Sequence, residues 1–203
     1  SGDSACCLPS ISLSEDALSL IRRWSEALAT TLKVQGLINL QFAVQRAADG
    51  QEKVFIIEAN PRASRTVPFV AKATGVPLAR IATRLMAGET LSQVGLLSEP
   101  VPPLQSVKEA VLPFRRFPGS DSLLGPEMRS TGEVMGSASD FGMAFAKAEL
   151  AAGEALPTSG NVFLSTHDRD KTALVPVARH LIGLGFKLIA TSGTAKALRD
   201  QGL

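Results

Sequence analysis

The chain has 203 residues, of which 45% are hydrophobic and 20% charged, and its 21 basic and 19 acidic side chains leave a formal net charge of +2. This composition is typical of a folded globular protein and excludes a disordered chain, which needs low hydrophobicity and high net charge. The balance of charges gives no broad basic surface for nucleic acid. No apolar run approaches the ~18 residues of a transmembrane helix. We therefore expect no nucleic-acid partner and no membrane partner.

The start of the chain gives two further indications. The sequence begins at Ser1 without Met and without a signal-peptide pattern, so we expect a fragment of a longer protein. The only cysteines, Cys6 and Cys7, are adjacent and too few for a disulfide framework. With two histidines in the chain, a zinc site is not expected either. The cysteine usage is typical of a reducing compartment.

The first predicted element is a helix over about 13–35. Ser12 and Glu15 have the spacing of a capping box, and apolar residues recur at helical spacing along the segment. Gly36 suits the position just after a helix end. We therefore expect the helix to begin at Ser12 and to finish before Gly36.

Two strand-like runs follow at 37–44 and 53–60. The Asp-Gly pair between them, at 49–50, is a strong hairpin signal, and a turn centred on it makes the numbers of paired residues sum to 99. Side chains alternate between the two faces of a strand, so polar residues paired in this register share one face. These pairs are Gln41 with Glu58 and Asn39 with Asn60. A slip of one residue would break the arrangement, and a solvated outer face is the alternative interpretation.

The rest of the first part has the signals of mixed α/β structure. Proline and glycine positions indicate short helices and connectors, and an apolar run indicates a further strand. Asp140 is a good N-cap. The expected elements are helices near 68–75 and 77–88, a strand over 107–114, an irregular segment over 117–136 and a helix over 140–152.

A plausible linker over 153–160 separates this part from a strand–helix–strand pattern. The strands are expected at 161–165 and 186–190, with a helix capped by Asp170 or Thr172 between them, and a parallel pairing follows from the crossover. The run Thr-Ser-Gly-Thr at 191–194 then opens a last helix at Ala195. Free N–H groups at a helix start favour an anion, although an ordinary capped turn would have the same sequence.

The segment Glu58-x-Asn60-Pro61-Arg62 has the strongest chemical signal. A carboxylate and amide oxygens on one strand face, with Gln41 from the partner strand, are ligands that Mg²⁺ accepts together with substrate phosphates. Arg62 and Arg65, just beyond the strand, can neutralise a transferring phosphoryl group. The sequence therefore predicts a site for metal-dependent phosphoryl transfer.

The chain resembles the large subunits of carbamoyl-phosphate synthetases. The run GPEMRSTGEVMG is specific to that resemblance, because other ATP-grasp ligases share only Glu-x-Asn. The resemblance covers essentially the whole chain. The matching stretches lie at 1–6, 41–44, 57–69, 72–79, 106–109 and 125–136.

The resemblance implies an α/β (α+β) fragment. Residues 1–152 would be the C-terminal part of the carbamoyl-phosphate-forming ATP-grasp unit with its connecting region. Residues 153–203 would begin a Rossmann-like, methylglyoxal-synthase-like allosteric domain. The alternatives are another ATP-grasp carboxylate ligase, or a nucleotide-binding regulatory module that rests on the Thr-Ser-Gly-Thr turn alone.

For the reaction, the resemblance implies MgATP-dependent phosphorylation of carbamate to carbamoyl phosphate, for arginine and pyrimidine biosynthesis. Gln41, Glu58 and Asn60 would bind Mg²⁺ or Mn²⁺, and Gln41, Glu58 and Ser1 would contact ATP. Arg62 and Arg65 would lie beside the phosphates. The parent would be a cytoplasmic, glutamine-dependent ligase with a glutaminase small subunit as partner. We expect the isolated chain to be catalytically incomplete.

For regulation, the resemblance implies two effector sites. Lys171, Thr191 and Thr194 would bind the phosphate of a nucleotide effector such as UMP or IMP. Asp3 and Glu109 match acidic residues that hold ornithine in bacterial members of the family. From the residues alone, both acids would be interpreted as ordinary surface carboxylates.

Overall fold

The computed structural model describes residues 3–112, 114, 119, 123 and 129–203. The chain divides into two compact units, Ser1–Glu154 and Ala155–Leu203. Within the described ranges, no helix combines the length and apolar character needed to cross a membrane. Cys6 and Cys7 are both free thiols and partly buried.

The described part of the first unit contains a three-stranded antiparallel sheet and a two-stranded one. The strands of the three-stranded sheet are β1 (Cys6–Leu8), β4 (Gln105–Val111) and β5 (Gly132–Ala138), in the order β1-β4-β5. Helix α5 (Phe141–Ala152) begins at the predicted N-cap Asp140, whose carboxylate accepts from the N–H of Met143, and it packs on this sheet. The core between them contains Val107 and small alanines at 138, 144 and 148.

Strand β5 corrects a prediction, because most of it lies in the segment expected to be irregular. The segment looks irregular since glycines and serines outnumber apolar residues there. Gly136 is needed in the strand, because a Cβ there would lie 2.5 Å from the backbone nitrogen of Ala148 in α5. Close packing of the helix on the sheet therefore requires a glycine within the strand, and glycine is a residue that does not predict a strand.

The second sheet of the first unit is the hairpin of β2 (Asn39–Arg46) and β3 (Glu52–Asn60). Helix α1 (Glu15–Thr31) contacts both strands. The remaining helices of this unit follow the hairpin. They are α2 (Thr66–Thr74), α3 (Leu78–Met86) and the single-turn α4 (Leu91–Val94).

The predicted start and end of α1 are wrong. Ser14, and not Ser12, caps the helix, and its hydroxyl accepts from the N–H of Ala17. The carboxylate of Glu52 in β3 accepts from the N–H and the hydroxyl of Ser14, at 3.1 and 2.6 Å, so a contact with the hairpin fixes the start of the helix. The helix ends at Thr31. The residue with a left-handed backbone just after the helix is therefore Lys33, and not Gly36 as predicted.

The second unit has the predicted strand–helix–strand order. Strands β6 (Asn161–Leu164) and β7 (Lys187–Ala190) pair in parallel, with α6 (Lys171–Gly183) between them in the chain. Helix α7 (Ser192–Arg199) begins earlier than predicted, so the Thr-Ser-Gly-Thr run forms its cap and first turn. Leu164, Ala178 and Leu198 form the core of this unit.

Candidate functional site

The predicted metal-ligand residues lie together on one face of the hairpin. Gln41 is directly opposite Glu58, and Asn39 is directly opposite Asn60. The register is therefore the predicted one at this end of the hairpin. Gln41 and Asn60 are partly buried, whereas Glu58 is exposed.

The register arises differently from the prediction. Residues 47–51 form a five-residue loop, closed by a bond from the N–H of Ala47 to the carbonyl of Gln51. Next to this loop, Arg46 pairs with Glu52, so paired numbers sum to 98 there. A bulge opposite Gln41 and Phe42 takes in Ile57 as an extra residue and raises the sum to 99. The bulge thus aligns the polar residues of the two strands.

Glu58 is available to a ligand. Its side chain is exposed, and no described residue forms an ion pair or a hydrogen bond with its carboxylate. Asn39 donates from Nδ2 to the hydroxyl of Ser64 at 3.3 Å, which ties the end of β2 to the loop after β3. One carboxylate and two amide groups in this arrangement are a donor set that suits a hard divalent cation.

The two candidate arginines follow β3 in a tight turn. The N–H of Arg62 donates to the carbonyl of Asn60 at 2.7 Å, and its guanidinium donates to the carbonyl of Ala63 at 2.9 Å. Arg65 precedes α2, and its Nη1 donates to the hydroxyl of Ser130 at 3.1 Å. Both side chains are exposed, so their remaining N–H groups can reach an anion.

Asp3 is bound to the loop before β5. Its two carboxylate oxygens accept from the N–H groups of Arg129 and Ser130, at 2.6 and 2.7 Å. The hydrogen bond from the Ser130 side chain, followed by that from the Arg129 backbone, holds the pKa of Asp3 below its usual value. Sequence reasoning assigned no role to Ser130, although the residue lies within the family-like run that was noted.

Glu109 has different neighbours. Its carboxylate accepts from the N–H of Ala110 at 3.0 Å and lies beside Glu149 of α5. Burial, and then the charge of Glu109, raise the pKa of Glu149. The two expected ornithine ligands therefore contact different parts of the first unit, and Glu149 is a further carboxyl group that the sequence did not indicate.

In the second unit, the three candidate phosphate ligands lie around the start of α7. The hydroxyl of Thr191 donates to that of Thr194 at 3.2 Å, and the N–H of Thr166 donates to the same Thr194 oxygen at 3.4 Å. The ammonium of Lys171 lies 3.0 Å from the position that a Cβ on Gly193 would take. Thr191 is exposed, whereas Thr194 is buried beneath the turn.

Asp168 is the neighbour of this cluster that sequence reasoning missed. Its carboxylate accepts from Lys171 Nζ at 2.6 Å, three residues along the chain. The hydrogen bond and the charge of Lys171 lower the pKa of Asp168. Ser1 and residues 125–128, which the resemblance also uses, lie outside the described residues.

Comparisons with known proteins match two separate stretches of the chain. The sequence model of the ATP-binding domain of the carbamoyl-phosphate synthase L chain matches residues 1–94, and that of the MGS-like domain matches residues 173–203. The carbamoyl phosphate synthase large chain of Nostoc sp. (strain PCC 7120) is 61% identical over 203 residues, which is 100% of this chain and 18% of the relative. Over its whole length, this chain is similar to part of that carbamoyl phosphate synthase large chain.

Other large chains match in the same way. Those of Synechocystis sp. and Pasteurella multocida are 61% and 57% identical over the whole of this chain. The chain thus spans about 18% of the length of these relatives. Among solved structures, the biotin carboxylase domain of a single-chain bacterial carboxylase is 29% identical, with a TM-score of 0.46, and the match covers 52% of this chain and 25% of that one. The resemblance predicted from the sequence is confirmed, as is the mixed α/β fold.

Proposed function

We propose that this chain contributes to MgATP-dependent phosphorylation of carbamate, giving carbamoyl phosphate and ADP. The observation that carries the proposal is the pairing of Gln41 with Glu58, with Asn60 on the same face and two exposed arginines directly after it. The identity of 61% to a carbamoyl phosphate synthase large chain supports the same reaction.

Gln41, Glu58 and Asn60 would hold Mg²⁺ or Mn²⁺. The carboxylate of Glu58 is exposed and has no partner among the described residues, which supports this assignment. One carboxylate with two neutral amides leaves positive charge on the cation to bind a polyphosphate. When bound, the metal would neutralise charge on the transferring phosphoryl group. Gln41 and Glu58 would also contact ATP, together with Ser1.

Two arginines would supply the positive charge that the protein itself places beside the phosphoryl group. Arg62 and Arg65 would hold the phosphoryl oxygens while a carbamate oxygen attacks the γ-phosphorus and ADP leaves. No nucleophilic side chain is needed, because positioning and charge neutralisation account for most catalysis of this kind. Among the residues that the structure describes, each guanidinium donates to one neutral acceptor, which supports the availability of both arginines to phosphate.

Regulation is the second part of the proposal. Lys171, Thr191 and Thr194 would bind the phosphate of a nucleotide effector such as UMP or IMP, and the contact of the Lys171 ammonium with the first turn of α7 supports this. Asp3 and Glu109 would contribute to a site for the cationic effector ornithine. The whole protein would act in the cytoplasm with a glutaminase small subunit, as a glutamine-hydrolysing ligase of arginine and pyrimidine biosynthesis.

The test places this segment in a full-length large chain, for example that of the Nostoc relative, together with its small subunit. ATP formation from MgADP and carbamoyl phosphate then measures the proposed half-reaction in reverse. Glu58→Gln should lower its rate at least about a hundredfold, by analogy with the loss of one preorganised electrostatic group. The resemblance also implies a first half of the parent enzyme, outside this chain, which makes carboxyphosphate and then carbamate. The bicarbonate-dependent ATPase of that other half should persist.

The matched control is Glu26→Gln, which makes the same change at an exposed position of α1. It should leave both partial reactions intact. Full ATP formation by the Glu58→Gln protein would refute the metal assignment.

A further inference from the structure

The guanidinium of Arg65 is held by a hydroxyl from a distant part of the chain. Its Nη1 donates to Ser130 Oγ at 3.1 Å, across 65 positions of sequence. Arg65 forms no ion pair with any residue in the described ranges. Among the described residues, a single neutral acceptor therefore orients the Arg65 side chain.

The direction of hydrogen bonding around Ser130 follows from the chemistry of the groups. An arginine has donors only, so Ser130 Oγ must accept from Arg65. A serine hydroxyl has one proton, which Ser130 can offer to the carboxylate of Asp3, and hydrogen bonding by the Ser130 side chain lowers the pKa of that carboxyl group. The chain of donors thus runs from Arg65 to Ser130 and on to Asp3.

Asp3 also fixes the backbone that carries Ser130. Its carboxylate oxygens accept from the N–H groups of Arg129 and Ser130, at 2.6 and 2.7 Å. Charge-assisted bonds of this length are among the stronger hydrogen bonds in proteins. The backbone that carries the Ser130 hydroxyl is therefore fixed by two hydrogen bonds to a single carboxylate.

The neighbouring carboxylate does not compete for Arg65. Glu133 lines the same open cavity of about 370 Å³ as Arg65 and Ser130. Its Oε1, however, accepts from the buried Lys108 at 3.0 Å. Among the described residues, Arg65 is thus oriented by a neutral oxygen, and Glu133 in the same cavity is already paired with Lys108, so the charge of Arg65 stays available to an anion.

We propose that Ser130 is a positioning residue for Arg65 and that Asp3 anchors Ser130 for this purpose. The proposal rests on the proposed function, since it assigns Arg65 to the phosphoryl group. It adds a residue from the loop before β5 to the site and connects Asp3, the candidate effector ligand, with the transferred phosphoryl group.

The experiment uses the same full-length protein and the same assay of ATP formation from MgADP and carbamoyl phosphate. Ser130→Ala should lower kcat about tenfold, since small misplacement of a charged group has effects of this size or larger. Ser130→Thr keeps the hydroxyl and should keep most of the rate. Ser137→Ala, which removes a hydroxyl bonded to Ser106 elsewhere in the same sheet, is the matched control and should be near wild type.

A double-mutant cycle separates positioning from a general structural effect. If Ser130 acts through Arg65, Ser130→Ala should cause no further loss in an Arg65→Ala background. The bicarbonate-dependent ATPase of the same preparations reports whether the other half is intact, and their thermal unfolding reports whether this segment is folded. Asp3→Asn should resemble Ser130→Ala and should also lose its effect in the Arg65→Ala background.

The possible failures are distinguishable. If Arg65→Ala retains full activity, the proposed role of Arg65 fails and the positioning role fails with it. If Arg65→Ala is impaired but Ser130→Ala matches the Ser137→Ala control, the positioning role alone is refuted. Losses that multiply in the double variant, or a Ser130→Thr protein as slow as Ser130→Ala, would refute it as well.

Discussion

Gln41 lies directly opposite Glu58, although the pairing next to the turn, continued without interruption, would put Ile57 opposite Gln41. The bulge at Ile57 absorbs one residue and restores the polar pair. Side chains alternate along a strand, so without this extra residue an apolar side chain would take the place of the carboxylate. The candidate metal site thus depends on a local irregularity of the hairpin.

Replacing Glu52 should weaken the folded state at neutral pH and reduce its sensitivity to acid. Hydrogen bonds from Ser14, first, and from Arg46 lower the pKa of Glu52 from 4.5 to about 2. Since the folded state binds this proton less readily, the stabilisation is complete above pH ~4.5 and is lost as the pH falls towards ~2. Glu52→Gln should therefore have a lower urea midpoint at pH 7 and a smaller decrease on acidification.

Urea unfolding of both proteins between pH 7 and pH 2.5 measures this effect. Glu26→Gln, at an exposed position of α1, is the control and should follow the wild-type pH dependence. Parallel curves for wild type and Glu52→Gln would contradict the assigned role of the carboxylate.

Gly136→Ala should destabilise the first unit. The new Cβ would lie 2.5 Å from the nitrogen of Ala148 and 2.8 Å from the Cβ of Lys147, and still closer to the carbonyl oxygen of Ala144. Two of these atoms belong to the α5 backbone, so the helix itself must move, at a cost of about 3 kcal/mol or more. Gly132→Ala in the same strand meets nothing within 4 Å and should have little effect on thermal unfolding. Equal melting temperatures for the two variants would show that α5 is not packed as described.

Lys108→Met should also be destabilising. Lys108 is 2% exposed and its Nζ lies 3.0 Å from Oε1 of Glu133, whose side chain is 18% exposed. Removing the cation leaves a largely buried carboxylate without its partner, which typically costs about 3 kcal/mol. The double variant with Glu133→Met should recover much of that loss, since it removes both charges.

Chemical unfolding of the single and double variants measures this coupling. Lys53→Met, at an exposed position in β3, is the control for loss of one positive charge. A double variant no more stable than Lys108→Met would show that the aliphatic part of the lysine, and not the ion pair, matters.

Asp168→Asn should strengthen the binding of inorganic phosphate at the start of α7. Asp168 accepts from Lys171 Nζ at 2.6 Å and so competes with an added anion for the same ammonium. The carboxylate is mostly exposed, so the expected gain in affinity is modest, about twofold to fivefold. Lys171→Met should abolish binding in a calorimetric titration, and Lys196→Met, an exposed lysine paired with Asp200, should not. Binding that survives Lys171→Met would place the anion elsewhere.

The sequence predicted those parts of the structure that depend on neighbouring residues. The N-cap Asp140 and the strand–helix–strand order of the second unit follow from patterns within short segments, whereas the predicted Asn39–Asn60 pairing also needs the bulge at Ile57. The start of α1 could not be predicted in this way, because the carboxylate of Glu52 in β3 accepts hydrogen bonds from Ser14 and the capping box at Ser12 does not form. Strand β5 was missed because its glycine serves close packing against α5.

By itself, the sequence determined the chemical types at the candidate site: a carboxylate and amides on one strand face, with two arginines after it. These positions lie close in sequence, and strand periodicity relates Glu58 to Asn60, but the bulge at Ile57 is needed to bring Gln41 opposite Glu58. The tertiary structure decided which groups orient these side chains. Arg65 meets Ser130 across 65 positions, and Asp3 meets Ser130 across 127. Contacts at such separations depend on how the whole chain folds back on itself, and no local pattern specifies them.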